Sequence, residues 1–183
     1  PGDYVLYLNF IPEDGWSQRE VAQGVTLETR RYPSLFNGNQ FGSVIRVDLN
    51  QPNVEIRPVS GVGCQTTSQL AQSAGAVAAV NAGYFGGGGC GSVSLLKIDG
   101  RLESSNARSR SAFGLTQNQE PLLSWIPAGQ DWPEAYQAVG GLSRLASGGQ
   151  VDVEWERDQA DYSFTYNRHP RTGVGFNDQG EVI

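Results

Sequence analysis

The strongest constraint on this chain is how often its regular patterns are interrupted. Apolar residues recur at every second position in short runs, and nearly every run is cut by Gly, Pro, Asn or Asp. With 24 glycines and nine prolines, the pattern is one of many short strands and tight turns. The alternation predicts strands over 5–11, 25–32, 43–49, 54–59, 77–80, 93–98, 111–115, 122–126, 151–155, 162–166 and 172–176. One segment carries helical spacing: Thr66 or Thr67 supplies an N-cap, Leu70, Ala71 and Ala74 follow, and Gly75 stops it. A helical turn is expected over 131–138, with Pro133 at a tolerated early position. The expected class is α+β, a strand-rich mixed or antiparallel sheet with few short helices.

A length of 183 residues suits one sizeable core. Nineteen acidic against thirteen basic residues, a net charge of −6, argue against a nucleic-acid partner, which calls for a basic stripe. No segment approaches the roughly 18 to 20 apolar residues of a membrane span, and the basic-then-apolar pattern of a signal peptide is missing from the first residues. The chain opens on Pro1 and contains no methionine, from which we expect a processed start. Cys64, Cys90 and the single histidine, His169, make a zinc site only if a carboxylate joins them, so no metal and no cofactor are expected. Both cysteines lie in glycine-containing loops and can meet as a disulfide; two free thiols are the alternative. The even count favours an extracytoplasmic compartment, periplasmic or secreted.

The stretch VNAGYFGGGGCGS, residues 80–92, looks at first like a phosphate cradle. It is not a Walker loop, because Ser92-Val93-Ser94 stands where a Lys-Ser or Lys-Thr pair and a helix are needed. It is not a dinucleotide fingerprint either, since no helix follows the glycines. Its informative half is Asn81 to Phe85. Asn81 is expected at the end of a buried strand over 76–80, where it hydrogen-bonds either the loop backbone or a ligand. Gly83 serves as a turn glycine or lets backbone approach a ligand closely.

SVSLLKIDGRL reads as a hairpin with Asp99-Gly100 in its turn, so Asp99 is a turn residue first and a candidate acid second. Lys97 is the single lysine beside twelve arginines. Arg110 opens the strand SAFGL and Arg171 opens TGVGF; guanidinium groups suit bidentate capture of phosphate, or pair with surface carboxylates. His169, ahead of Pro170, is a second candidate acid or base, or a solvated turn histidine. No serine sits in a nucleophile elbow. Trp16, Tyr84, Trp125, Trp132 and Trp155 allow a different reading, a non-catalytic glycan-binding or envelope scaffold module, although aromatic residues of this kind more often fill cores and rims.

Taken in order, AVAAVNAGYF, GSVSLLKIDGRL, SRSAFGL, AVGGLSRLASGGQ and HPRTGVGFNDQGEV resemble the phosphodiester glycosidase family, over about residues 44–183. Members of that family include the enzyme that uncovers mannose phosphate by removing N-acetylglucosamine, and exported bacterial proteins associated with exopolysaccharide. The matching positions are Asn81, Gly83 and Phe85; Arg110, Ala112 and Gly114; Gly140 and Gly141; and Pro170, Arg171 and Thr172. The resemblance implies a hydrolase that cleaves a glycosyl-phosphate bond in a glycan-related phosphodiester. It implies that Arg110 and Arg171 hold phosphate, that Asn81 and Thr172 bond sugar or phosphate, and that Gly83 permits close approach. Residues 1–43 are then expected to form a strand-rich extension packed on a domain that starts near residue 44. The family's Asp-Gly-Gly-Gly-Ser element does not occur here. RTGVGFNDQGEVI spells a strand, a turn and the start of another strand, so we expect the domain to continue, for instance on a companion chain. The catalytic carboxylate is expected from that element, with Asp99 a poor substitute.

Overall fold

The structure, a computed structural model, describes residues 14–86 and 88–183. The strand predicted over 5–11 lies outside the described residues.

Eleven strands and two α-helices follow one another among the described residues. They are β1 (Ser17–Ala22), β2 (Val25–Tyr32), β3 (Gln40–Asp48), α1 (Thr67–Ala74), β4 (Leu96–Ile98), β5 (Arg101–Ser104), β6 (Arg110–Leu115), β7 (Pro121–Ile126), β8 (Gln137–Gly140), β9 (Ala146–Ser147), β10 (Gln150–Val151), α2 (Tyr162–Tyr166) and β11 (Glu181–Val182). The strands form a four-stranded sheet in the order β1-β2-β3-β11, a five-stranded sheet in the order β5-β4-β8-β6-β7, and the small pair β9 and β10. Every pairing is antiparallel. The expected α+β class holds, strand-rich with two short helices.

Strand β6 shows why the five-stranded sheet is central. Period-two alternation sends Ala112 into a cluster with Leu95, Ile126, Trp132, Ala135 and Ala138. It sends Phe113 and Leu115 to the opposite face, against Val182, with Val47, Leu49 and Ile56 packed around them. That second cluster joins the two large sheets, since Val182 lies on β11 and Val47 on β3. Gly114 needs no side chain: a Cβ there would meet the Trp132 ring at 2.8 Å and the Gln137 carbonyl at 3.0 Å. Gly140 lies in β8, where a Cβ would meet Asn106 Oδ1 at 2.7 Å and Leu95 N at 2.9 Å.

Helix α1 follows its sequence signals. Thr66 accepts a hydrogen bond from the backbone of Gln69, whose side chain reaches back to the Thr66 backbone, and Gly75 ends the helix in the left-handed region at φ +65°. The hairpin of β4 and β5 turns at Asp99-Gly100 as predicted.

Several expectations are corrected. Residues 77–80 are no buried strand: among the described residues they pair with no strand, and Val77 and Val80 are 65% and 57% exposed. Apolar content alone cannot make a strand without a neighbour for its backbone. Residues 54–59 run outside any ladder, with the Ile56 amide donating to Gln119 Oε1 at 2.8 Å. Residues 162–166 are helix α2, where the Thr165 amide bonds the Asp161 carbonyl and the Tyr162 and Tyr166 rings meet at 4.4 Å one turn apart. Their aromatic, β-prone composition hides a local helical pattern. Of 151–155 only Val151 is in a strand, and of 172–176 only Phe176 makes a bridge, to Val182. The helical turn expected over 131–138 shrinks to a turn at Trp132–Ala135, after which β8 begins. β1, polar and exposed, carried no apolar alternation to reveal it. The closing strand is paired, Glu181 with Asp48 and Val182 with Val47.

Candidate active site

The site is built where the N-terminal end of β6 meets two loops. The first loop follows residues 76–80 and turns into a short hairpin: Phe85 bridges Ser92, the Val93 amide donates to the Tyr84 carbonyl at 2.9 Å, and Gly86 N–H bonds the Gly91 carbonyl at 3.0 Å. Gly88 and Gly89 lie in the turn at the hairpin tip. Cys90 pins that tip to Cys64 through a disulfide, so the bonded alternative is the one realised. Gly83 sits at φ +66°, and a Cβ on it would meet Ser94 Oγ at 3.0 Å. A turn requirement and a close approach to Ser94 therefore account for this glycine. Ser94 is buried and its hydroxyl accepts the Tyr84 amide at 3.1 Å.

The second loop, 167–172, follows α2. The Thr172 hydroxyl donates to Asn81 Oδ1 at 2.7 Å, joining positions 91 residues apart. Arg171 Nη2 donates to the carbonyls of Phe164 and Asn167, closing the end of α2, and its guanidinium carbon lies 4.1 Å from the centre of the Phe164 ring. With both Nη2 hydrogens used, three N–H donors of Arg171 remain. His169, exposed, stacks on Phe164 with ring centres 6.2 Å apart.

Tyr84 and Phe164 join the loops edge to face, with ring centres 6.3 Å apart. The Arg110 guanidinium carbon lies 5.4 Å from the centre of the Tyr84 ring. Arg110 Nε is buried and makes no hydrogen bond. Among the described residues neither Arg110 nor Arg171 has a carboxylate within ion-pair distance; Arg46, Arg57, Arg101, Arg144 and Arg157 all do. Burial raises the Tyr84 pKa above its ordinary value, while the charges of Arg110 and Arg171 pull it back. Both cations thus act on the phenol oxygen.

Asn81, Gly83, Arg110, Arg171, Thr172 and His169 are therefore brought into one neighbourhood, joined by Tyr84 and Phe164. Asp99 is not part of it. It sits in the turn after β4, and its carboxylate bonds Arg57 at 2.6 Å and Gln137 at 2.7 Å. Lys97 is also elsewhere, buried against Asp131 and the Trp132 carbonyl. An open hollow between α1 and residues 76–79 contains no charged side chain and none of these residues.

Asp158 was missed by sequence reasoning. It is fully buried, and its Oδ2 accepts the Ser111 amide at 3.1 Å, directly beside Arg110. Nothing in the run EWERD marks one acid as different from the others; only the fold buries this one. Among the described residues no group of three or more His, Cys, Asp or Glu side chains is placed to hold a metal ion.

The family model described as phosphodiester glycosidase matches residues 74–183, a span that starts just before the Asn81 loop and includes β6, α2 and the Arg171 loop. No curated protein matches the chain significantly. The matched span covers 110 of 183 residues, and the chain belongs to the phosphodiester glycosidase family.

Proposed function

We propose that this protein is a hydrolase that cleaves the bond between a sugar anomeric carbon and a phosphodiester oxygen in a glycan-related substrate. The carrying observation is the pair of arginines, Arg110 and Arg171, that meet around Tyr84 and Phe164 with aromatic faces, not carboxylates, as their partners. Such cations lack a counter-charge that a phosphate can supply. Departure of the phosphate leaves an oxocarbenium-like sugar, and the charge that develops on the leaving oxygen is stabilised by the guanidiniums. A phosphate leaves readily, so the demand for a strong general acid is smaller than in ordinary glycosidases. Asn81 and Thr172, already bonded to each other, offer an amide N–H₂ and a carbonyl edge to sugar hydroxyls.

The disulfide fits an extracytoplasmic setting, and no helix among the described residues is long and apolar enough to cross a membrane. We place the protein in the periplasm or outside the cell. The apolar stretch 76–80, exposed and without a strand partner among the described residues, supports the further proposal that a companion segment completes the domain begun near residue 44, by adding a strand there.

The test is hydrolysis of a chromogenic sugar phosphodiester by the full-length protein and by its Arg171→Ala variant. Turnover by the first and none by the second is expected. Equal turnover removes Arg171 from the site; glycan retention without any turnover favours the binding-module reading.

A further inference from the structure

We propose that the Tyr84 hydroxyl is a third phosphate ligand, donating a hydrogen bond to the leaving oxygen alongside Arg110 and Arg171. The inference rests on the phosphodiester reading above and adds a residue to the same site.

Tyr84 is held at every point except its hydroxyl. Its amide is fixed on Ser94 Oγ at 3.1 Å, its carbonyl on the Val93 amide at 2.9 Å, and its turn on Gly83. Its ring is fixed by contacts with the Arg110 guanidinium and, edge to face, with the Phe164 ring. Yet among the described residues no hydrogen bond engages the phenol O–H, although the side chain is half-buried. A half-buried donor without a protein acceptor is satisfied by water or by a ligand. With two cations acting on the same oxygen, the acceptor that this position favours is an anion.

The chemistry balances without proton transfer from tyrosine. The bond from the anomeric carbon to oxygen breaks, and its electron pair stays on the phosphate oxygen, which accepts the phenol hydrogen bond. Water adds to the sugar carbon and loses its proton to solvent. The phenol stays protonated throughout, as its raised pKa requires.

The discriminating variant is Tyr84→Phe, which keeps the ring and its contacts and removes only Oη. Binding of inorganic phosphate is measured by titration calorimetry, and hydrolysis by release of chromophore from a phosphodiester glycoside. Removing one preorganised donor to an oxyanion costs about 100-fold in rate where water is excluded. For this half-buried donor we expect kcat to fall about tenfold or more, with KM moved less, and phosphate binding to weaken about tenfold. An unchanged melting temperature confirms that the ring still packs. Wild-type phosphate affinity and wild-type kcat in Tyr84→Phe overturn the inference, as does failure of the wild-type protein to bind phosphate. Phosphate binding that weakens in Tyr84→Phe, in a protein that hydrolyses no phosphodiester glycoside, keeps Tyr84 as a phosphate ligand and removes the glycosidase reading.

Discussion

Replacing Cys64 and Cys90 with alanine measures how far the candidate site depends on one covalent tether. The disulfide joins residues 26 apart, and the loop it closes contains α1 and residues 76–83. Helix α1 has no buried residue, and residues 77–83 make no backbone hydrogen bond among the described residues. Little burial therefore exists inside the loop to offset the entropy released when the bond is lost. For 26 residues the chain-entropy expression gives about 3.5 kcal/mol at 25 °C, roughly a 400-fold change in the equilibrium that frees the loop. The core clusters around Leu95, Ala112 and Trp132, and around Phe113, Leu115 and Val182, lie outside it. The loss is therefore expected as local opening and not as global unfolding. An eight-residue helix is marginal by itself, so hydrogen exchange of α1 amides in the double variant should approach that of an unstructured peptide. Peptides from β6 and β8 should keep their protection. Two outcomes refute the reasoning: α1 equally protected with and without the disulfide, or β6 and β8 losing protection together with α1.

Two further predictions concern ionisable groups. Lys97 is buried while Asp131 is partly exposed, so Asp131→Ala leaves a buried ammonium with the Trp132 carbonyl and should cost roughly 3 kcal/mol in urea denaturation, whereas Lys97→Met, which removes the buried charge, should cost clearly less. Arg110→Ala removes a charge that lowers the Tyr84 pKa, so ultraviolet difference titration should show that pKa rising further. The folded state holds this proton longer than the unfolded chain, so the associated stability is present below about pH 10 and lost as pH rises through the folded value; the loss should deepen in the variant.

What the sequence revealed, it revealed where local chemistry decides the outcome. The span of β2, the cap and stop of α1, and the Asp99-Gly100 turn depend on neighbouring residues, and all were legible. Arg110 was singled out because it opens an apolar run after a polar loop, and Arg171 because it opens one after His169-Pro170; the fold brings both onto the Tyr84 and Phe164 rings. What failed depends on remote partners. The stretch 76–80 has the composition of a buried strand but no neighbour among the described residues, and 162–166 has strand composition yet closes its own helical bonds. Asp158 is one of five acids between 152 and 161, and only the return of that segment onto the Ser111 amide singles it out. The role of Phe164 was likewise invisible, because it arises from contacts with Tyr84, His169 and Arg171 made in three dimensions.

The partners of the two arginines bear on how an anion enters. In a chain with 19 acidic residues, carboxylates were available, and among the described residues six other arginines took them. A guanidinium held by a carboxylate must give up that ion pair before it can hold a phosphate, and breaking the pair offsets the gain. An aromatic face attracts a cation by only about 0.5–1 kcal/mol at an exposed site, and it occupies the face of the guanidinium and not its N–H edge, of which Arg171 spends Nη2 on the Phe164 and Asn167 carbonyls and keeps its other donors. Phosphate binds along that edge. Arg110 and Arg171 are thus oriented by Tyr84 and Phe164 without being neutralised by them. The same arrangement explains why a phenol belongs beside them: Tyr84 orients the cation through its ring and reaches the anion through its hydroxyl, whereas a carboxylate at that position would compete with the substrate it is meant to hold.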